Sequence, residues 1–128
     1  MSIAIICTAL LGVLLFGLAI NVSLLRLRHG QLIGHDSSPT DPIHRAVPAH
    51  ANTAEYAPFL AVLFLWFATR PAHTWIVAAI IVATAARFLA AAGLLWGKSL
   101  DLSNSVRFLG ALFTYIAGLV LVVGLIRP

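Results

Sequence analysis

Four long apolar stretches constrain this chain more than any other feature. A helix that spans a membrane needs roughly 20 apolar residues, and four windows in the 128 residues reach or approach that length. The windows are Ile3–Leu25, Asn52–Thr69, Trp75–Trp96 and Ser105–Ile126. Together with their short connections they use up the chain. The sequence therefore predicts one all-α domain over residues 1–128, a bundle of four transmembrane helices.

Composition and charge support a membrane protein and indicate how it is oriented. The chain is 61% hydrophobic and 9% charged, and a soluble surface of that composition would aggregate. Basic residues border the first and third loops at Arg26, Arg28, Arg45, Lys98 and Arg107, whereas Arg70 and Arg127 lie on the opposite side. Because basic loops stay cytoplasmic, both termini are expected on the non-cytoplasmic side. This asymmetry accounts for the net charge of +4, which leaves little basis for nucleic-acid binding.

The second helix has two possible starts. Pro42 follows Thr40 and Asp41, either of which can cap the helix while Pro42 takes the first helical position. Alternatively, the helix begins at Pro48. The earlier start is favoured.

Two charged residues fall within the apolar windows, Glu55 in the second and Arg87 in the third. Counted outward from the turn at Pro71, they reach nearly the same depth in an antiparallel hairpin. An isolated charge in hydrocarbon costs several kcal/mol, so such groups face the bundle interior and find partners. The sequence therefore predicts that Glu55 and Arg87 face each other, as a structural ion pair or as part of a ligand site.

The surroundings of Glu55 favour a ligand site. Asn52, Glu55 and Tyr56 share one side of the second helix, and His50 lies on a neighbouring side. Amide, carboxylate and phenol groups can hydrogen-bond a polar ligand, and nearby arginines can hold an anionic one. The alternative is that these polar groups satisfy one another across the helices.

A family resemblance covers most of the chain. The segment "HANTAEYAP" resembles the N-x-x-E-Y-x-P signature on the second helix of the MAPEG family, the membrane-associated proteins in eicosanoid and glutathione metabolism. The likeness extends to "RLRHG" after the first helix, "AARFL" in the third and "NSVRFLGALFTY" in the fourth. The chain is similar to bacterial-type members.

The resemblance implies a homotrimer that binds glutathione between subunits near the cytoplasmic side. It assigns glutathione contacts to Arg26, Asn52, Glu55 and Tyr56. It also assigns the fourth-helix arginine that stabilises the glutathione thiolate to Arg107, the predicted catalytic residue. Further cofactor-binding candidates from position and charge are Arg45, His50 and Arg87.

Three positions depart from the family pattern. Pro48 replaces a glutathione-binding arginine, for which Arg45 can substitute one turn earlier. Ala90 and Leu94 stand where the catalytic synthases carry histidine or tyrosine. These departures make glutathione binding a firmer expectation than efficient synthase chemistry.

Two functional classes follow from these patterns. The first is a glutathione-dependent membrane transferase or peroxidase that acts on lipophilic electrophiles entering from the lipid. The second is a non-catalytic membrane protein on the same scaffold, with structural intramembrane polar residues. No metal site is predicted, because the spacing of His29, His35, His44 and His50 matches no common motif. Short loops and the lack of a targeting segment suit a bacterial inner membrane.

Overall fold

Four antiparallel helices form the structure, a computed structural model that describes residues 2–34 and 36–126. The helices are α1 (Ile3–His29), α2 (Pro42–Ala68), α3 (Thr74–Trp96) and α4 (Ser105–Ile126). His35 and Arg127, named above, lie outside the described residues. The α1–α2 and α3–α4 loops lie at one end of the bundle, here called the loop end. The α2–α3 turn lies at the other end, here called the turn end. The predicted four-helix bundle is confirmed.

Local capping explains where α2 begins. The side chain of Asp41 accepts a hydrogen bond of 2.7 Å from the backbone N–H of His44, and Pro42 occupies the first helical position. The cap satisfies an N–H that has no partner within the helix. Pro48 and Pro58 both lie inside the continuous helix. The predicted start at Pro42 is thus confirmed, and the alternative start at Pro48 is wrong.

Three helices, α1, α3 and α4, are long and apolar enough to cross a membrane. The first half of α2 is more polar, since it carries His44, Arg45, His50, Asn52 and Glu55. Its second half contributes Leu60, Phe64 and Phe67 to the main apolar core, which also contains Leu11, Ile80 and Leu121 from the other helices. The fold is therefore that of an integral membrane protein with one polar helix segment among apolar ones.

Helices α3 and α4 pack closely because glycines remove side chains from their contact. A Cβ atom at Gly110 would lie 2.7 Å from the Cα of Ala90 and 2.9 Å from the carbonyl oxygen of Ala86. A Cβ at Gly93 would lie 2.8 Å from the Cα of Arg107. Small residues allow such close approach of helices in lipid. We call this contact the α3–α4 seam.

One loop residue fixes the entry into α4. The Asn104 side chain donates a 2.8 Å hydrogen bond to the carbonyl of Gly93 in α3. Its Oδ1 accepts from the backbone N–H groups of Val106, at 2.9 Å, and Arg107, at 3.3 Å. Asn104 thus caps α4 and joins it to α3. These hydrogen bonds fix the backbone position of Arg107 in the first turn of α4.

Candidate functional site

A buried arginine lies at the centre of the candidate site. Arg87 on α3 is only 1% exposed. One terminal nitrogen of its guanidinium donates to Oδ1 of Asn52 at 2.6 Å and to the Asn52 carbonyl oxygen at 3.2 Å. Both acceptors are neutral, so they solvate the cation without neutralising it. Arg87 is therefore a buried positive charge positioned by α2.

Arg87 has no salt-bridge partner among the described residues, although the exposed Glu55 carboxylate attracts it electrostatically. The guanidinium carbon lies 5.0 Å from the centre of the Tyr56 ring, a cation–π distance. Its Nε atom is buried and has no hydrogen-bond partner within residues 2–34 and 36–126. An unpaired buried donor is rare and needs an explanation. The positive charge favours an anionic group nearby.

The predicted ion pair between Glu55 and Arg87 is wrong. Arg87 bonds to Asn52, and the Glu55 side chain is exposed at the surface of the chain. Helix geometry explains the difference, because successive residues are separated by about 100° around the axis. Asn52 and Tyr56 thus lie about 40° apart and both face Arg87, whereas Glu55 is turned about 100° away from Tyr56.

Glu55 instead borders an open groove between α2 and α4, which we call the α2–α4 groove. The whole groove has a volume of about 480 Å³. Its polar part contains Glu55, Tyr56, Thr114 and Tyr115. The groove continues along an apolar wall formed by Phe59, Leu60, Leu63, Gly118, Leu119 and Val122. Pockets that bind small molecules are commonly of this size, apolar with a few polar groups. Its polar part lies beside the Arg87 and Asn52 contact.

Arg107 lies in a second groove, on the outer side of α4. Its side chain is exposed beside Asn104, Phe108 and Tyr115 in the lining of this groove. Tyr115 lines both grooves, and its ring centre lies 5.8 Å from that of Tyr56. Sequence reasoning missed Tyr115. Its position two turns after Arg107, on a similar side of α4, is the signal that could have identified it.

The remaining predicted binding residues lie at the loop end. Arg26 in the last turn of α1 donates to the carbonyl of Leu32. Arg45 donates to the carbonyls of Pro39, at 3.3 Å, and Lys98, at 2.8 Å, so it joins the first and third loops. His50 is half-buried on α2. None of the hydrogen bonds described for these side chains reaches Arg87, Asn52 or Tyr56.

The structure gives a physical reason for two departures from the family pattern. Ala90 is 2% exposed and lies where Gly110 crosses α3, and Leu94 is 6% exposed within a smaller core cluster. A histidine or tyrosine at position 90 would have no space against the backbone of α4. At these two positions α3 therefore contributes buried core side chains. The phenol groups near Arg87 are those of Tyr56 on α2 and Tyr115 on α4.

The fold and this site define an all-helical integral membrane protein with a buried cation and an adjoining amphipathic groove. The sequence model of the MAPEG family matches residues 4–127, nearly the whole chain. The chain belongs to the MAPEG family, whose members are membrane proteins associated with glutathione chemistry. No curated protein and no solved structure matches it.

Proposed function

We propose that this protein is a membrane transferase or peroxidase that uses glutathione as a co-substrate and acts on lipophilic electrophiles. The observation that carries the proposal is the α2–α4 groove. It combines a carboxylate and two phenols, next to a buried cation, with a long apolar wall. The polar part suits a charged tripeptide, and the apolar wall suits a lipophilic molecule.

The polar residues of the groove suit complementary parts of glutathione. The exposed Glu55 carboxylate accepts hydrogen bonds from an ammonium or amide group, and the phenols of Tyr56 and Tyr115 donate to carboxylates. Oδ1 of Asn52 is already bonded to Arg87, so Asn52 acts mainly by positioning that cation. Arg26, Arg45 and His50 lie at the loop end, where positive charge attracts the anionic peptide.

Arg107 is the residue that we assign to thiolate stabilisation. A free thiol has a pKa of about 8.5, and a nearby cation favours the thiolate, which is the nucleophile. The thiolate sulfur then forms a bond to the electrophilic carbon, and the electron pair of the broken bond leaves with the displaced group. Tyr115 borders both grooves, so a ligand that lies across it reaches Glu55 on one side and Arg107 on the other.

We further propose that the protein is a homotrimer whose loop end faces the cytoplasm. The α2–α4 groove and the α4 groove are open in the single chain, and a homotrimer would place neighbouring subunits against them. The basic loop end would face the cytoplasm of a bacterium, as the positive-inside rule predicts. Glutathione would then reach the site from the cytoplasm, and the electrophile from the inner membrane.

Calorimetric titration of the detergent-purified protein with glutathione tests the proposal. We expect saturable binding that is weakened at least tenfold by Glu55→Gln and by Arg107→Ala. Arg28→Ala, which removes another exposed arginine of the loop end, is the matched control and should bind normally. Turnover of a lipophilic electrophile would then be lost in Arg107→Ala, with binding of S-alkylated glutathione less affected.

One observation favours the non-catalytic alternative. Arg87 and Asn52 satisfy each other in part, and Ala90 and Leu94 belong to the core, which is the pattern expected of a scaffold whose polar groups are structural. Absence of binding by the wild-type protein at millimolar glutathione would support this alternative over the transferase.

A further inference from the structure

A small pocket at the turn end has no role in the proposed chemistry. It has a volume of about 60 Å³ and is formed by the end of α2, the start of α3 and the end of α4. Its rim carries Trp66, Arg70, His73 and Trp75, and its apolar floor contains Phe67, Ile76 and Gly124. A single water needs about 10–15 Å³ of such space. The pocket therefore has room for a group the size of a phosphate.

Stacking orients the Arg70 guanidinium at the rim of this pocket. Its central carbon lies 3.9 Å from the centre of the Trp66 ring. A guanidinium stacked on a ring keeps its N–H groups available in its own plane. No side-chain or backbone acceptor in the described part of the chain hydrogen-bonds to Arg70. The cation is therefore held in place with its donors available.

His73 lies on the same rim in a similar arrangement. Its ring is stacked on that of Trp75, with ring centres 6.4 Å apart and an angle of 9° between the planes. His73 precedes α3, and its side chain makes no capping hydrogen bond to that helix. An imidazole N–H is thus available for a second hydrogen bond to a ligand in the pocket.

The charge of the turn end is positive without compensation by acidic residues. The four acidic residues of the chain are Asp36, Asp41, Glu55 and Asp101. The three aspartates lie at the loop end, and Glu55 is separated from Arg70 by about four turns of α2. No acidic side chain in the lining of the pocket pairs with the ammonium of a zwitterionic lipid. The lining of the pocket is therefore complementary to an anion.

We infer that this pocket binds the phosphate of an anionic phospholipid, with Arg70 and His73 as hydrogen-bond donors. Trp66 and Trp75 are each nearly half exposed, as expected for residues at a membrane–water interface. The exposed surfaces of Trp66 and Trp75 beside the pocket give a lipid apolar contacts in addition to the phosphate contact, whereas inorganic phosphate gains nothing from them. Both Arg70 and the tryptophans thus point to a lipid headgroup rather than a free anion.

Fluorescence quenching by brominated lipids tests this site directly. The full-length Trp96→Phe variant, which retains Trp66 and Trp75, is placed in vesicles that contain phosphatidylglycerol or phosphatidylcholine brominated close to the headgroup. We expect quenching to favour phosphatidylglycerol about fivefold, the effect of about 1 kcal/mol per basic residue near the surface. Adding Arg70→Gln should reduce the ratio to near one, and Arg70→Lys should retain part of it.

The matched control is the variant that carries Trp66→Phe and Trp75→Phe and retains only Trp96, at the loop end. It should show no dependence on Arg70. Equal quenching by both lipids in Trp96→Phe, or a preference that survives Arg70→Gln in a protein of unchanged melting temperature, would overturn the inference. Loss of the preference on adding inorganic phosphate, but not chloride at equal ionic strength, would also overturn it, because it would identify a site for free anions.

Discussion

The α3–α4 seam and the α2–α4 groove are two contacts of the same helix, and they are built in opposite ways. At the seam, Gly93 and Gly110 bring the helix backbones together, so that no further side chain fits. At the groove, α2 and α4 scarcely touch, and Tyr56, Thr114 and Tyr115 line an open space. One side of α4 therefore serves stability, and the other is available for a ligand.

The difference follows from the residues that face each partner. Glycine and alanine allow close backbone approach, which gives dispersion contacts that stabilise a bundle in lipid. Tyr56, Thr114 and Tyr115 line the space between α2 and α4, and their hydroxyl groups suit it to hydrogen bonds. Substitutions at the seam should therefore affect stability, and substitutions at the groove should affect binding. The exception is Asn52, since it supports the buried cation beneath the groove.

Asn52→Leu should have the largest effect. It removes the 2.6 Å acceptor of Arg87 and leaves a buried cation with little compensation, which costs about 3–5 kcal/mol. Thermal denaturation in detergent measures the loss. Arg87→Met is the partner experiment, and it should cost about 1 kcal/mol or less because the buried charge is removed with its donor. A larger loss in Arg87→Met than in Asn52→Leu would contradict this description of the site.

Gly110→Ala and Gly118→Ala compare the two sides of α4 with the same chemical change. A Cβ at Gly110 meets the backbone of α3, whereas nothing lies within 4 Å of a Cβ at Gly118. We expect Gly110→Ala to destabilise the protein by about 1–3 kcal/mol and Gly118→Ala to raise its melting temperature slightly, because alanine favours a helix more than glycine does. Because both variants gain the same intrinsic helix preference, the difference between them reports packing alone. Equal melting temperatures would show that the seam is not tightly packed.

Glu55→Gln should separate binding from stability. The carboxylate is exposed and accepts no hydrogen bond in the described chain, and exposure screens its attraction to Arg87, so the melting temperature should change little. Under the proposed function, glutathione affinity should fall about tenfold through the loss of a charge-assisted hydrogen bond. Asp36→Asn, a carboxylate in the first loop, is the control for a change of one charge. A large loss of stability in Glu55→Gln would instead support a structural role.

Tyr115→Phe should have the smallest effect. It removes one hydroxyl from a residue that lines both grooves and retains the ring contact with Tyr56. We expect glutathione affinity to fall about threefold to tenfold, as for one neutral hydrogen bond, with no change in melting temperature. Phe113→Tyr, an exposed change of the same size elsewhere on α4, is the control. Unchanged affinity in Tyr115→Phe would remove Tyr115 from the proposed site.

Helix positions were more predictable than helix contacts. The predicted window Ser105–Ile126 coincides with α4, and the Pro42 start of α2 was read from its capping sequence. Capping and apolar length are local properties, so the sequence records them directly. Sequence reasoning also placed Asn52 and Tyr56 near a polar intramembrane site, where they contact Arg87.

The contacts of Arg87 were predicted only in part. Equal depth in a hairpin suggested Glu55 as its partner, but depth says nothing about the rotation of each helix about its axis. A rotation of about 100° distinguishes Tyr56 from Glu55. Tyr115 was missed for a related reason, because its place beside Tyr56 depends on how α4 packs against α3, which no local pattern of α4 specifies.

The sequence by itself determined that this is a membrane protein of four helices, where α3 and α4 lie to within one residue, and which family it belongs to. Hydropathy, capping and motif residues are properties of single segments, and they do not depend on how the segments pack. Only the tertiary structure decided that Arg87 donates a hydrogen bond to Asn52, that Glu55 borders the α2–α4 groove and that Tyr115 lines both grooves. Those contacts depend on how each helix is rotated about its axis. The glycine seam fixes α4 against α3, whereas the rotation of α2 depends on its packing against α1 and α3.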